Sequence, residues 1–430
     1  MRILIYSINY APEPTSTGKY TGELAAWLAA RGHEVDAIAP PPHYPHWRVF
    51  EAYRGRRFRD IESLEGVRVM RTPIYIPPPD RVTAGRRILY ELSFSLSAAR
   101  YWLPLCLGLG KRYDVVIAIC PPAQIGGWPW LYHLTRRVPW VIHVQDLQVD
   151  AALRLGMLRQ RRLGRLLHRI ETFLLRRASA VSTITAAMRK RLLDRGLAED
   201  RTWLVPNWAN LDLVTVQPRD NAFRRSLGVR EDQVLFMYAG NLGVKQGLEV
   251  LLDAAYALRH EERFRFAVVG SGAAAPQLEA RRAQLKLNNL VMVPVQPKEK
   301  LSEMLAAADV HLVIQRREAA DLVMPSKLTN ILAAGRPAIA TTEPNTALGM
   351  VLVDAQAGLI CEPENAAALA DTMRRLAENP ALREQMGYNA CRYACTQLNQ
   401  DTILSRFESK LHELAATVAP KGGARHRATP

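Results

Sequence analysis

The chain has 430 residues, which is too long for one ordinary domain, so we expect two. Its 48% hydrophobic and 23% charged residues are typical of a soluble globular protein and not of a disordered or membrane-spanning one. The five cysteines include no Cys-x-x-Cys pair, which argues against a disulfide framework or a zinc module and favours a reducing compartment.

The net charge of +16 is concentrated in the first half of the chain. Residues 1–209 hold 31 Lys and Arg against 17 Asp and Glu, a balance of +14, whereas the remainder holds 26 against 24, a balance of +2. We therefore expect negatively charged partners at the N-terminal half.

Apolar strand-like runs alternate with helical patterns along the whole chain, which predicts two doubly wound α/β domains with parallel sheets. The runs are 3–7, 35–39, 67–71, 115–120, 140–144, 180–184, 202–205, 234–239, 266–270, 291–295, 310–314, 338–341 and 359–361. The series pauses at 206–218, where we place the linker. We predict an N-terminal domain over 1–209, a C-terminal domain over 210–400, and a helix with a basic tail over 401–430 that packs back toward the N-terminal domain.

Two loops follow the first strands of the N-terminal domain. A polar loop after 3–7 reaches Gly18, and ligands of doubly wound sheets collect beyond the carboxyl ends of strands. This loop is therefore either a wall of a binding cleft or a connection without a role. The loop 40–47, PPPHYPHW, is either a rigid surface loop or an acceptor-facing wall whose rings stack on a sugar.

Two later segments of this half are predicted to be amphipathic helices. The window 88–109 is strongly apolar but contains Glu91, Arg100 and Pro104, so it is too interrupted to span a bilayer. It either lies on a membrane surface or packs on the sheet. The segment 154–177 carries eight arginines against one acid, and we expect its apolar side to cover the sheet while its arginines face an anionic membrane.

The strand 140–144 ends in polar residues. His143, Gln145 and Asp146 could hold substrate hydroxyls or act as acid and base. The alternative for His143 is a core histidine with satisfied hydrogen bonds.

In the second half, the strand 234–239 is followed by Gly240, Gly243 and Gly247 around Lys245, and then by a helical pattern. A strand, a glycine-rich loop and a helix aim free backbone N–H groups at an anion, to which the lysine adds a charge. The loop is either a diphosphate-binding loop or an ordinary turn, and it matches neither a Walker loop nor a GxGxxG fingerprint.

A second helix start, MPSKLTNILAAGRP, can contribute to the same site. Ser326 can open the helix, and Lys327 and Asn330 lie three residues apart on one face. Together with Lys245, they would place two cations around one anion.

Five segments, taken in chain order, resemble the GT-B glycosyltransferases of family 4, retaining enzymes that use nucleotide-sugar donors. The segments are NYAPEPTSTGKYTGELAAWLAARGHEV, VPN at 205–207, AGNLGVKQGLEVLLDAA, VVGSG and NILAAGRPAIATTEP. The resemblance implies two Rossmann-like doubly wound domains facing a cleft. The segments INYAPE, TGKYTGE, HVQDLQVDA and MPSKLTNILAAG further resemble WcaI-like exopolysaccharide enzymes of the colanic-acid type, which are fucosyltransferases.

The resemblance implies roles for individual residues. Gly18 matches a glycine that approaches the donor phosphates, and His143 matches a histidine near the transferred sugar. Lys245 matches the lysine that neutralises the diphosphate leaving group.

The sequence also departs from the family pattern. Leu322 and Asn330 stand in place of the two glutamates of a Glu-x7-Glu motif, and Asn241 stands in place of an arginine. Asn330 can still bind a ribose hydroxyl, and Lys327 could supply the missing cation. The predicted site residues are, as catalytic groups, Lys245, His143 and Asp146, and, as donor-binding groups, Gly18, Gly240, Asn241, Gly243, Lys245, Ser326, Lys327 and Asn330.

The implied function is transfer of a hexosyl unit, with fucose from GDP-fucose as a candidate, to a lipid-linked oligosaccharide at the inner face of the cytoplasmic membrane. No Asp-x-Asp triplet occurs, so we expect no metal and no cofactor besides the donor substrate. Two alternatives are a 2-epimerase-like GT-B enzyme and, in another class, a nucleic-acid-binding protein, which the charge permits although no binding module is recognised.

Overall fold

The computed structural model describes residues 1–14, 16–55, 61–78, 81, 83–147, 161–243, 246–317 and 327–418. The chain divides into two compact units, Met1–Val205 with the chain from Leu404 onward, and Pro206–Ile403. The boundary at 205/206 lies four residues before the predicted one at 209/210, and the last helix is counted with the first unit from Leu404 onward.

The first unit contains an eight-stranded sheet in the order β3-β4-β2-β1-β5-β6-β7-β8. Its strands are β1 Arg2–Tyr6, β2 Glu34–Ala39, β3 Ile61–Leu64, β4 Val67–Arg71, β5 Val115–Cys120, β6 Trp140–Val144, β7 Ala180–Thr183 and β8 Thr202–Leu204. All neighbours pair in parallel except β3, which runs antiparallel to β4. The central strand β5 is buried along its whole length, as expected for a sheet covered on both faces.

Six helices accompany this sheet in the described part of the chain. They are α1 Ser16–Ala30, α2 Ala84–Cys106, α3 Gly127–Arg136, α4 Arg161–Arg177, α5 Ala186–Asp194 and the last helix of the chain, α14 Gln400–Val418. The window 88–109 thus lies mostly within one helix, α2, which includes Pro104 in its last turn. None of the described helices is long and apolar enough to cross a bilayer.

The second unit contains a six-stranded parallel sheet in the order β11-β10-β9-β12-β13-β14. Its strands are β9 Val234–Ala239, β10 Phe264–Val269, β11 Leu290–Val293, β12 Val310–Val313, β13 Ala338–Thr341 and β14 Gly358–Cys361. Its helices are α6 Ala222–Ser226, α7 Glu249–Ala257, α8 Ala275–Gln284, α9 Leu301–Ala307, α10 Lys327–Ala333, α11 Ala347–Ala355, α12 Ala366–Glu378 and α13 Pro380–Gln397.

Alternate side chains of β9 enter two separate hydrophobic cores. Val234, Phe236 and Tyr238 pack into one core, whereas Leu235 and Met237 pack into the other. The period of two along a strand therefore places helices on both faces of the sheet, and the predicted pair of doubly wound α/β domains is confirmed.

Two expectations differ from the structure. The antiparallel strand β3 was not predicted, because it is a short edge strand that is only partly buried. The apolar side of α4 was expected to cover the sheet, but Leu166, Ile170 and Phe173 are exposed. The predicted segment 154–160 lies outside the described residues, so only the part from Arg161 onward can be compared.

Candidate active site

The strand order of the second unit reverses between β9 and β12, which are hydrogen-bonded neighbours. In open α/β sheets, ligands bind beyond the carboxyl ends of the strands at such a switch point. The chain that leaves β9 carries Gly240, Asn241 and Gly243, and the chain that leaves β12 leads to α10 with Lys327. These predicted residues therefore follow the two strands at the switch point.

The loop after β9 packs directly against the loop after β10, and their backbones are hydrogen-bonded to each other. The Leu242 N–H donates to the Ser271 carbonyl at 2.8 Å, and the Ala274 N–H donates to the Leu242 carbonyl at 2.8 Å. Gly270 and Gly272 have φ angles of 154° and 158°, and a Cβ at either position would overlap the β9 loop. The sequence GSG therefore serves close packing of the two loops, which the motif alone did not reveal.

Lys327 is the cation placed at this switch point within the described residues. Its Nζ lies 3.6 Å from the centre of the Tyr238 ring, a cation–π contact, and its side chain also lies within 4 Å of the position a Cβ would take at Gly240. Burial lowers the pKa of Lys327 to about 7. A bound anion would favour the charged form, so this lysine is suited to hold one.

The other predicted groups of this unit are placed as follows. Asn241 is exposed, and its carbonyl accepts a hydrogen bond from the Tyr238 hydroxyl at 2.8 Å. Asn330 is half-buried one turn after Lys327 on α10. Lys245 and Ser326 lie outside the described residues, as does Leu322, so their roles stay predictions.

Arg316 is a further cation near the glycine-rich loop, and no sequence motif singles it out. A Cβ at Gly247 would meet its side chain, and its guanidinium lies 3.4 Å from both Glu249 and Glu364. Those two carboxylates hold the arginine beside the start of α7, where backbone N–H groups favour an anion.

In the first unit, His143 lies at the carboxyl end of β6 with both ring nitrogens engaged. Gln145 donates its side-chain amide to Nε2 at 2.8 Å, and Nδ1 lies 2.9 Å from the Ser182 hydroxyl. Burial lowers the pKa of His143 to about 4, so the ring is neutral near pH 7. These contacts favour the alternative of a hydrogen-bonded core histidine. Asp146 follows the same strand and is half-buried.

Gly18 lies in the first turn of α1, and the space beside it holds the side chain of Glu13. A Cβ at Gly18 would overlap the Glu13 carboxylate, which is itself buried. Glu13 accepts hydrogen bonds from the backbone N–H groups of His43 and Tyr44, each at 3.0 Å, and from the Asn9 amide at 2.9 Å. Burial raises the pKa of Glu13 to about 7, although these hydrogen bonds oppose the shift.

Glu13 therefore joins the loop after β1 to the loop after β2, and sequence reasoning missed it because a polar loop gives no sign of a buried acid. The second loop is also fixed from its other side. The His43 imidazole lies 2.7 Å from the Tyr90 hydroxyl, and the Trp47 ring packs edge-on against Tyr90 with centroids 5.3 Å apart. Burial lowers the pKa of His43 to about 4.

Comparisons with known proteins agree with this architecture. Residues 16–208 match the glycosyl transferase 4-like domain, and residues 219–393 match the glycosyl transferases of group 1. The putative colanic acid biosynthesis glycosyl transferase WcaI of Escherichia coli (strain K12) is 36% identical over 413 residues, which cover 95% of this chain and 98% of that protein. The chain belongs to the group 1 glycosyltransferases with the GT-B fold.

Other relatives and solved structures extend the comparison. The probable glycosyltransferase WbjE of Pseudomonas aeruginosa is 26% identical over 270 residues, which cover 62% of this glycosyltransferase and 67% of WbjE. Sucrose-phosphate synthase from Thermosynechococcus elongatus superposes with a TM-score of 0.74 at 19% identity, covering 97% and 99% of the two chains. HepE of Anabaena, solved in complex with UDP, superposes with a TM-score of 0.70 at 16% identity, covering 96% and 100%.

Proposed function

We propose that this glycosyltransferase transfers a sugar from a nucleotide-sugar donor, with retention of configuration and without a metal ion. The observation that carries the proposal is Lys327, a lysine with a lowered pKa beside Gly240 at the switch point of the second unit. A leaving nucleoside diphosphate develops negative charge as the glycosidic bond breaks. A preorganised cation in a site of low dielectric stabilises that charge in the transition state.

The chain's own groups would share this task. A bound diphosphate would raise the pKa of Lys327, so that this lysine takes a proton from water and supplies one positive charge. Lys245 in the glycine-rich loop would supply a second charge, by analogy with the family. The backbone N–H groups at the start of α7 would face the phosphate oxygens. Retention by attack of the acceptor hydroxyl on the same face as the leaving group comes from the resemblance to family 4.

We further propose that the acceptor is a lipid-linked oligosaccharide of exopolysaccharide synthesis of the colanic-acid type. The similarity to the relative of that description over nearly the full length of both chains supports this assignment. GDP-fucose is the donor to test first, and UDP-glucose is the comparison because the donor base is open.

An exposed apolar surface on the first unit supports an acceptor that is held by a lipid. Along α2, buried Tyr90, Phe94, Ala98 and Trp102 form one face, and a second apolar face is exposed to solvent. This exposed stripe consists of Leu89, Leu92, Leu96 and Leu103 of α2 and of Leu107 directly after it; Leu96 is 73% and Leu107 is 76% exposed. A helix that is apolar on both faces needs a second apolar partner besides its own core.

Neighbouring helices extend this apolar surface and add positive charge. The Trp128 indole of α3 donates to the Ser95 carbonyl of α2 at 2.8 Å, and Trp130 of α3 packs on Phe173 of α4 with centroids 5.1 Å apart. Arg165 and Arg169 of α4 are exposed. Exposed leucines beside arginines fit an anionic bilayer surface and support the proposal that the protein binds the inner face of the cytoplasmic membrane.

A donor panel tests the proposal. Thermal-shift measurements with GDP, UDP and ADP would first identify the base, since a ligand that binds the native state raises Tm. The matching nucleotide-sugar and a lipid-linked acceptor should then give a glycosylated lipid, and NMR of the new anomeric centre should report the donor configuration. An inverted product contradicts retention, and donor turnover to a free epimer without acceptor would favour the 2-epimerase alternative.

A further inference from the structure

Within the residues that the structure describes, one group of side chains has the composition of a transition-metal site. His33, Glu408 and His412 each offer one ligand atom, and the three atoms lie within 4.8 Å of one another. His33 directly precedes β2, so the group lies at the amino end of that strand. The loops of the candidate active site leave the carboxyl ends of strands, and the group is therefore separate from them.

The backbone fixes the position of each member. The His33 N–H donates to the Leu28 carbonyl of α1 at 3.2 Å, and Glu34 starts β2. Glu408 and His412 lie four residues apart on α14, so they share one face of that helix. Leu404, Phe407 and Leu411 are buried and anchor the same helix in the first unit.

The side chains of His33, Glu408 and His412 contact or approach one another, as ligands of a single ion would. One Glu408 oxygen lies 2.7 Å from His33 Nε2, and the other accepts a hydrogen bond from Arg31 at 3.2 Å. The rings of His33 and His412 have centroids 5.5 Å apart. Burial raises the pKa of the Glu408 carboxyl, but the hydrogen bonds from His33 and Arg31 outweigh it and hold the pKa below its usual value. The two carboxylate oxygens are thus oriented separately, one toward His33 and the other toward Arg31.

We propose that His33, Glu408 and His412 bind a divalent transition-metal ion of the zinc class, with water as a fourth ligand. Zinc takes imidazole nitrogen and carboxylate oxygen at about 2.0–2.2 Å in a tetrahedron, which places ligand atoms roughly 3.3 Å apart. The separation of up to 4.8 Å closes by rotation of the exposed His412 side chain toward the other two. The ion would take the place of the hydrogen bond between His33 Nε2 and Glu408, while Arg31 orients the carboxylate from outside.

The ion would attach α14 to the connection between α1 and β2. Without it, the described contacts there include the ion pairs of Glu408 with His33 and Arg31, the contact of His33 Nδ1 with the amino group of Met1 at 3.1 Å, and the packing of the buried leucine and phenylalanine side chains. A metal that binds only the folded state stabilises that state, so zinc should raise the thermal stability of the whole protein.

The experiment is a calorimetric titration of metal-free full-length protein with Zn²⁺ alone. We expect one site, a rise in Tm of about 3 °C or more at saturating zinc, and slower hydrogen exchange in residues 404–418. His412→Gln removes one exposed ligand and should weaken zinc binding about tenfold or more. His260→Gln, which removes an exposed histidine of the second unit, is the matched control and should bind zinc as the parent does.

Three results would each overturn the proposal. They are no zinc binding by the parent at millimolar Zn²⁺, equal affinity in His412→Gln, and loss of binding in Cys395→Ser. The last would assign the zinc to Cys391 and Cys395, whose sulfur atoms lie 4.0 Å apart on α13. Glycosyl transfer is measured in the same variants and should not change, so failure of the zinc site and failure of the proposed function are distinguishable.

Discussion

At the residue scale, the predicted groups His143 and Lys327 differ in whether their protonation can change near pH 7. His143 has hydrogen-bond partners at both nitrogens and a pKa lowered to about 4, so its protonation does not change near pH 7. Lys327 contacts an aromatic ring and has a pKa lowered to about 7, so an anion can change its charge. The helical spacing could predict where Lys327 lies on its helix, but the lowered pKa comes from burial, which only the fold creates.

Nucleoside diphosphate affinity should depend on pH through Lys327. The free enzyme has a lysine pKa of about 7, and bound diphosphate raises it, so binding takes up a proton as pH increases above 7. Affinity should therefore be full below pH 7 and fall by up to about tenfold per pH unit above it. The second ionisation of a phosphate group, with a pKa of about 6, is nearly complete there and does not interfere.

The measurement is calorimetry from pH 7 to 9 on the parent, Lys327→Met and Lys327→Arg. Lys327→Met should lower kcat/KM about a hundredfold and bind diphosphate weakly at every pH. Lys327→Arg stays charged, so its affinity should be nearly constant over this range. A parent whose affinity does not change from pH 7 to 9 would contradict the role given to Lys327.

Substitutions at Gly18 and Glu13 should have coupled effects on the free energy of unfolding. Gly18→Ala places a methyl group against the Glu13 carboxylate and should lower the free energy of unfolding by about 1–3 kcal/mol. In a Glu13→Gly background both the carboxylate and the Cβ at position 13 are absent, so the same change should cost much less, a coupling that a double-mutant cycle in urea measures. Equal costs in both backgrounds would mean that Gly18 is needed for a reason other than room for Glu13.

At the element scale, the strands that matched the sequence prediction most closely are the buried parallel ones. The segments Val67–Arg71, Val115–Cys120, Trp140–Val144 and Val234–Ala239 have the predicted bounds, because continuous apolar runs define them. β3 has exposed and half-buried residues, and its turn uses Glu65 and Gly66 at φ angles of 51° and 78°, without the Asn-Gly or Asp-Gly signal of such a turn.

Helix periodicity likewise identifies an apolar stripe without telling what covers it. On α2, both the buried and the exposed stripes are apolar, so the sequence left membrane contact and sheet packing open. The structure places one stripe in the core and leaves the other in solvent. On α4, exposed Leu166, Ile170 and Phe173 could not be distinguished from the buried Leu174 and Leu175 for the same reason.

The exposed stripe should contribute more to membrane binding than the basic groups of α4. Replacing Leu92, Leu96 and Leu103 by Gln removes exposed apolar area. The fold should tolerate these changes, because Gln has nearly the same helix propensity as Leu and the three side chains lie outside the core. Flotation with vesicles containing anionic lipid should show loss of binding, while Tm stays near that of the parent.

Arg165→Gln with Arg169→Gln is the electrostatic counterpart of this variant. Each basic residue contributes at most about 1 kcal/mol near an anionic leaflet, and salt screens the contribution, so the double variant should weaken binding at low salt only. If the leucine variant binds vesicles as tightly as the parent, the stripe is not a membrane surface and another partner must cover it.

At the scale of the whole molecule, charge and fold divide the protein in the same way. The excess of +14 lies in residues 1–209, which include the whole of the first unit's sheet and its exposed stripe, whereas the switch-point lysine belongs to the nearly neutral second half. A basic first unit fits an anionic lipid surface and a pyrophosphate-linked acceptor. The donor site proposed for the second unit would use a few local cations, of which Lys327 lies at the switch point among the described residues.

Removal of metal ions by EDTA should lower the thermal stability of the protein but leave its glycosyl transfer activity unchanged. Cations and backbone N–H groups are proposed to stabilise the leaving diphosphate, so glycosyl transfer should persist in excess EDTA. The histidine and glutamate cluster of the first unit is proposed to bind zinc, so the same treatment should lower Tm by about 3 °C or more. The test compares initial rates at 25 °C and melting curves of one preparation before and after chelation.

Activity lost in EDTA and restored by Mg²⁺ or Mn²⁺ at an unchanged Tm would contradict both statements. Activity lost together with unfolding, and restored by Zn²⁺, would mean that the cluster maintains the fold on which the reaction depends.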